Sequence, residues 1–231
     1  MSHDARTVFE AYRTTTLTFD CYGTLIDWEI GACRALRDIY GYSRSEVTDD
    51  VLIGLFLQAD ARIIRENIFP YSKVLQRTAQ SVAESLRVRS DPALETSFAN
   101  SLPTWPAFEE TNSSLSWLAR RYRLAIISNV DDHLLSETIK QLGVPFEVLV
   151  TSEQTRSYKP DRAIFDRAVK LIDEHPSSII HIAEGRCEAT PARAVGMRSI
   201  WVNRSPRSDD GSNAQPNAAI SNLTQLVEAI S

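Results

Sequence analysis

Short apolar runs alternate with amphipathic stretches along most of the chain. Residues 17–21, 124–128, 146–151, 179–183 and 199–202 have the length and composition of buried strands. Between them, apolar residues fall at helical spacing over 111–121, 134–142, 161–172 and 188–195, and a last helix is predicted from Leu223 to Ile230. Strand and helix in regular turn predict an α/β protein with a doubly wound parallel sheet.

The alternation breaks once, between the first strand and the second. Trp28–Tyr40 carries Cys33, Leu36, Ile39 and Tyr40 on one face and stops at Gly41. Ser43–Asn67 holds a longer helix, capped by Thr48 or Asp49, with Val51, Leu52, Leu55, Phe56, Ala59 and Ile63 in a stripe. Tyr71–Leu86 repeats the pattern, and Asp91-Pro92 opens a further helix to about Leu102. These elements predict an inserted all-helical domain over 28–104, with Pro103-Thr104-Trp105-Pro106 marking its return. The core is then 1–27 plus 105–231. Residues 1–13 read as a loose lead-in or short helix, and the polar stretch 205–217 as a surface loop.

Composition narrows the function classes. At 231 residues the chain can bury a full core, and a net charge of −5 with acids and bases interspersed argues against nucleic-acid or anionic-membrane binding. No apolar run reaches transmembrane length, and the N-terminus lacks a signal-peptide core. Cys21, Cys33 and Cys187 have neither metal nor disulfide spacing, which suits a reducing cytoplasm. Cys21 follows a strand-end acid and is expected on the opposite face, as a small buried filler.

The chemistry is expected at Asp20, because ligands gather at the carboxyl ends of strands in open α/β sheets. Gly23 allows a sharp turn and close ligand approach. Thr24 sets a hydroxyl one turn away, placed to hold one carboxylate oxygen and leave the other free to attack. A lone Asp after a strand is more often a helix cap, but three later stretches outweigh that reading. Ile126-Ile127-Ser128-Asn129 is a strand ending in small polar residues, and Ser157-Tyr158-Lys159-Pro160 brings a cation. Ile179 to Glu184 is a strand ending in an acid, with Glu188 four residues on.

These ordered motifs resemble the haloacid dehalogenase superfamily over almost the whole chain. The form Asp20-Cys21-Tyr22-Gly23-Thr24-Leu25 is similar to its 2-haloacid dehalogenase branch. The resemblance implies a Rossmann-like core, a helical cap, a site in the cleft between them, and Asp20 as covalent nucleophile. Lys159 lies at the family's Lys-Pro pair, where an opposite charge keeps the nucleophile ionised. Superfamily phosphatases place a proton-donating Asp two residues after the nucleophile; here that position is Tyr22, a poor acid. Halide leaves without a proton, so Tyr22 favours displacement at carbon.

The fourth motif departs from the branch. Its water-holding Ser, Asn and Asp correspond to Ala183, Gly185 and Glu188, so a base is kept and two donors are lost. Glu184 stands where the phosphatases carry a magnesium-binding Asp. The branch's cap arginine has no counterpart by spacing; Arg62, Arg65 and Arg186 are candidates. The resemblance thus implies Asp20, Thr24, Lys159, Glu184 and Glu188 as catalysts, and Tyr22, Ser128, Asn129, Arg62 and Arg65 as substrate contacts. The expected activity is hydrolytic dehalogenation of a small 2-haloalkanoic acid, without a cofactor. The alternatives are a phosphatase with Mg²⁺ between Asp20 and Glu184, and a non-hydrolytic or epoxide-opening homologue. The expected partner is a small anionic substrate, with a homodimer possible. His181, inside a buried strand, reads as a satisfied core histidine, and Trp28, Phe69 and Tyr71 as pocket lining or helical core.

Overall fold

The computed structural model describes residues 4–10, 13–66, 70–204, 209 and 211–231, in two compact units. The first unit, residues 1–26, 107–128 and 141–231, contains a parallel sheet of six strands. These are β1 (Thr16–Phe19), β2 (Arg123–Ser128), β3 (Val148–Thr151), β4 (Ile179–Ala183), β5 (Arg198–Val202) and β6 (Ala218–Ile220). Their spatial order is β3-β2-β1-β4-β5-β6.

The chain order reverses direction between β1 and β4. In doubly wound sheets this switch point opens the ligand crevice at the strand ends. The register pairs Phe19 with Ile126 on one side and with Ile182 on the other. Asp20 extends this ladder by donating its N–H to the Ile182 carbonyl at 2.9 Å.

One face of the sheet is sealed by Ala125, Ile127, Val150, Ile179, Met197 and the helix Arg162–Ile172 through Ile164, Phe165, Ala168 and Ile172. Each such aliphatic or aromatic side chain contributes roughly 1.5–3 kcal/mol on burial. At the opposite end of the strands Arg198 is buried, its guanidinium donating to the carbonyls of Val8 and Ser177 and to Thr14 Oγ1. It ties the N-terminal helix Ala5–Glu10 to β5.

The sequence reading missed β6, whose three residues Ala-Ala-Ile follow a polar stretch and carry no periodic signal. The proposed loop over 205–217 lies partly outside the described residues. Of the lead-in, Ala5–Glu10 is helical, while residues 1–3, 11 and 12 lie outside the description.

The second unit, residues 27–106 and 129–140, is all-helical among its described residues. Trp28–Tyr40 is capped by Asp27, which accepts from the Ile30 N–H, and ends at Gly41 with φ +74°. Asp49–Arg65 is preceded by Thr48, which makes no side-chain capping bond. The first turn instead presents Asp49 and Asp50 to the positive end of the helix dipole, correcting the expectation of a capping side chain at Thr48. Tyr71–Leu86 and Pro92–Ser101 complete the set, the latter capped by Asp91 on the N–H groups of Ala93 and Leu94. Phe56 holds the interior, stacked on Trp28 at 5.3 Å and edge-on to Phe98 and Trp105. Tyr71 hydrogen-bonds Asp60; Phe69 lies outside the described residues.

This unit differs from the predicted 28–104 insertion by the returning segment 129–140. Asp131 is the physical reason. Its carboxylate accepts the N–H groups of Tyr71 at 2.5 Å and Ser72 at 2.9 Å, supplying the missing cap of Tyr71–Leu86 across about sixty residues of sequence. Among the described residues no helix is long and apolar enough to cross a membrane.

Candidate active site

The turn after β1 is built by backbone bonds. Leu25 and Ile26 both donate to the Cys21 carbonyl, and Gly23 donates to Ile26. Gly23 adopts φ +100°, a conformation that a side chain strongly disfavours. The turn folds Thr24 back onto Asp20, so that Thr24 Oγ1 donates to Asp20 Oδ2 at 2.8 Å. Thr24 Oγ1 in turn accepts the Glu184 N–H at 2.8 Å, which fastens the end of β4 to the turn. Arg204 braces the turn from outside by donating to the Thr24 carbonyl at 2.7 Å, and it pairs with Glu110 and lies over Phe108.

Lys159 completes the centre. Its Nζ lies 2.6 Å from Asp20 Oδ1 and 2.8 Å from Glu188 Oε2, with all three side chains at most 10% exposed. Both oxygens of Asp20 therefore have donors, correcting the expectation that one stands free. A nucleophile held this way is oriented, and each oxygen keeps a further lone pair for attack.

Burial and charge work against each other at every member of the cluster. Burial raises the Asp20 carboxyl above its ordinary value, and the negative charge of Glu188 adds to this; Lys159 and Thr24 pull it back. Burial also opposes the charges of Lys159 and Glu188, and is overridden at both. The two carboxylates hold the ammonium protonated well above an ordinary lysine, while Lys159 and His181 hold Glu188 below the usual carboxylate range.

Of the residues singled out from the sequence, Asp20, Thr24, Lys159 and Glu188 come into one hydrogen-bonded cluster. Glu184 joins through its backbone, its carbonyl accepting Trp201 Nε1 at 2.9 Å. Tyr22 lies in the turn itself, bridged to Ile26. Ser128 ends β2 beside β1; it is 1% exposed, and among the described residues its Oγ has no hydrogen-bond partner. Asn129 begins the segment assigned to the second unit. Arg62 and Arg65 lie on Asp49–Arg65 of that unit, Arg62 donating to Ser81 and pairing with Glu66, Arg65 donating to the Ala61 carbonyl. Arg186 donates to the Ala214 carbonyl and pairs with Asp209.

His181 is the residue the sequence reading undervalued. It is buried as expected, yet its Nε2 meets Glu188 Oε2 at 3.0 Å. Its Nδ1 meets Thr18 Oγ1 at 2.9 Å. The signal available was a pair of polar residues, Thr18 and His181, inside two otherwise apolar runs.

Among the described residues no group of three or more His, Cys, Asp and Glu side chains converges as a metal site. Between the two buried carboxylates, Asp20 and Glu188, stands the Lys159 ammonium, a cation covalently part of the chain. What the cluster can do chemically is present an oriented carboxylate for covalent attack, with a second carboxylate close by to accept a proton.

Comparison with known proteins agrees in type. The model for haloacid dehalogenase-like hydrolases matches residues 14–196. (S)-2-haloacid dehalogenase 2 of Pseudomonas sp. (strain CBS-3) is 26% identical over 221 residues, spanning 91% of this chain and 93% of the relative. The structure of L-2-haloacid dehalogenase from Xanthobacter autotrophicus with chloropropionic acid covalently bound is similar with a TM-score of 0.78 at 16% identity, covering 94% of this chain and 98% of that one. A putative hydrolase from Bacillus subtilis bound to magnesium has the same TM-score at 19% identity, covering 95% and 99%. At these identities the two structures share their fold with this chain.

Proposed function

The chain belongs to the haloacid dehalogenase-like hydrolases, and on that premise we propose that it releases halide from a small 2-haloalkanoic acid through an ester on Asp20. The observation that carries the reading is the placement of the Asp20 carboxylate between Lys159 and Thr24, with Tyr22 where a leaving-group acid would stand. The named activity of the Pseudomonas relative supports it.

In the first step an Asp20 oxygen forms a bond to the substrate's C2 as the carbon–halogen bond breaks. The halide departs with the bonding electrons, and the carbon inverts. Asp20 becomes a neutral ester, and the Lys159 ammonium remains paired with Glu188. In the second step water adds to the ester carbonyl carbon and gives a proton to Glu188. Lys159 and the Thr24 hydroxyl are placed to stabilise the oxyanion that forms there. Collapse expels the alkoxide, which takes up a proton. The net products are a 2-hydroxy acid, halide and one proton, and the restored Asp20 carboxylate carries an oxygen from water.

The substrate carboxylate is assigned first to Ser128 and Asn129. The unpartnered Ser128 hydroxyl supports this, because a buried donor left unpaired costs roughly 1–3 kcal/mol that a bound anion would recover. Arg62 and Arg65 rank second as clamps, since their guanidinium groups already have partners in their own unit.

A phosphohydrolase remains the competing reading, favoured by the acid Glu184 at the end of β4. Incubation with 2-chloropropionate and with p-nitrophenyl phosphate, each with Mg²⁺ or EDTA, separates the two. Halide release indifferent to EDTA is expected. Phosphate release stimulated by Mg²⁺, without halide release, would replace this function.

A further inference from the structure

A second line of contacts reaches Glu188 from inside the sheet. His181 occupies the middle of β4, fully buried, with its ring edge-on to Phe165 at a centroid distance of 5.2 Å. The register places Thr18 of β1 directly opposite, which brings Thr18 Oγ1 to His181 Nδ1 at 2.9 Å. The other ring nitrogen, Nε2, meets Glu188 Oε2 at 3.0 Å. An ionised carboxylate only accepts, so Nε2 carries the proton of this bond. In the neutral ring Nδ1 is then an acceptor, and the Thr18 hydroxyl donates to it.

Gly185 limits Glu188 from the remaining side. A Cβ built on Gly185 would lie 2.9 Å from Glu188 Oε1. The backbone there has φ −68°, open to any residue, so what a side chain would have to displace is the Glu188 carboxylate. The contacts of the Glu188 carboxylate with donors among the described residues all end on Oε2, from Lys159 and from His181. Oε1 is left as the oxygen able to receive a proton from water.

We infer that His181 is a positioning residue for Glu188 in the second half-reaction, fixing Oε2 so that Oε1 faces the water that cleaves the Asp20 ester. Gly185 supplies the room this acid needs. The inference rests on the dehalogenase reading and adds to it a residue that neither touches substrate nor acts in the first step. Once Asp20 is esterified, Lys159 loses one of its two carboxylates and is free to draw Glu188 into a closed ion pair. The bond from His181 resists that movement.

The test follows the two half-reactions separately in single turnover of the full chain with 2-chloropropionate, measuring halide release and the mass of the Asp20 peptide. His181→Phe keeps the ring against Phe165 and deletes both polar contacts. Halide release within about two-fold of the unaltered protein is expected, while ester cleavage slows by about 10- to 100-fold and the ester accumulates, a fraction of the 10²–10⁴ associated with a general base. His181→Gln restores a donor towards Oε2 and should recover part of the loss. Thr18→Val, close to isosteric and aimed at Nδ1, should slow ester cleavage by a smaller factor, and it serves if His181→Phe does not fold. Ester cleavage at the unaltered rate in His181→Phe, or equal slowing of both steps, would overturn the inference. If the unaltered protein releases no halide and forms no ester, the dehalogenase reading itself fails, and the role of His181 with it.

Discussion

Lys159 Nζ stands 2.6 Å from Asp20 Oδ1, a buried ammonium against a buried carboxylate from segments that are distant in sequence. The contact holds Asp20 ionised against burial, which otherwise favours the neutral acid. Attack requires the carboxylate, so halide release rises as pH increases through the Asp20 pKa. Lys159→Ala removes the principal lowering influence, and the acid limb of the profile should move to higher pH. Halide release measured from pH 4 to 9 checks this; an unmoved limb would remove the electrostatic role from Lys159.

Gly185 and Glu188 form a matched pair of a missing side chain and a long acid. Gly185→Asn should lower turnover of 2-chloropropionate by at least about tenfold, because the new Cβ meets Glu188 Oε1. Adding Glu188→Asp retracts the carboxylate by one methylene and should recover part of the activity. A double variant no better than the single would show that the two positions act independently, as a double-mutant cycle reads it.

Asp60 predicts a pH-dependent stability. Burial pushes its carboxyl from 3.8 up to about 7, with the bond from Tyr71 working in the opposite direction. The folded state therefore binds more protons than the unfolded chain between those values, and stability falls as pH rises through that interval. Asp60→Asn keeps an acceptor for Tyr71 and has no charge to bury. Its melting temperature should exceed that of the unaltered protein by a margin that grows from pH 4 to 7 and is constant above. A margin independent of pH would refute the assignment.

Arg198 is a buried structural cation whose hydrogen bonds run to the carbonyls of Val8 and Ser177 and to Thr14. Arg198→Leu strands those buried acceptors, at about 1–3 kcal/mol each before relaxation. A loss of about 2–4 kcal/mol in urea unfolding is expected, with no change in halide release per folded molecule.

Much of the fold is legible because its signals are local. The apolar runs at β1 and β4 and the glycine stop at Gly41 can be read one window at a time. The proline start at Pro92 is equally local. The members of the buried cluster were likewise readable, since Asp20, Thr24, Lys159 and Glu188 each belong to a short motif of recognisable order. What escaped depends on contacts between distant segments. Asp131 caps a helix far earlier in the chain, and β6 exists because β5 offers it an edge. His181 resembles any buried histidine until the register sets Thr18 on one side and the turn after β4 brings Glu188 to the other.

The capping of Tyr71–Leu86 by Asp131 also bears on protein engineering. An expression fragment cut at 27–106 would lose the carboxylate that neutralises two exposed amides, and should be less soluble and more frayed at that terminus than a fragment carrying 129–140 as well. A chimera exchanging this helical module with a relative's has to transplant two separate pieces of gene.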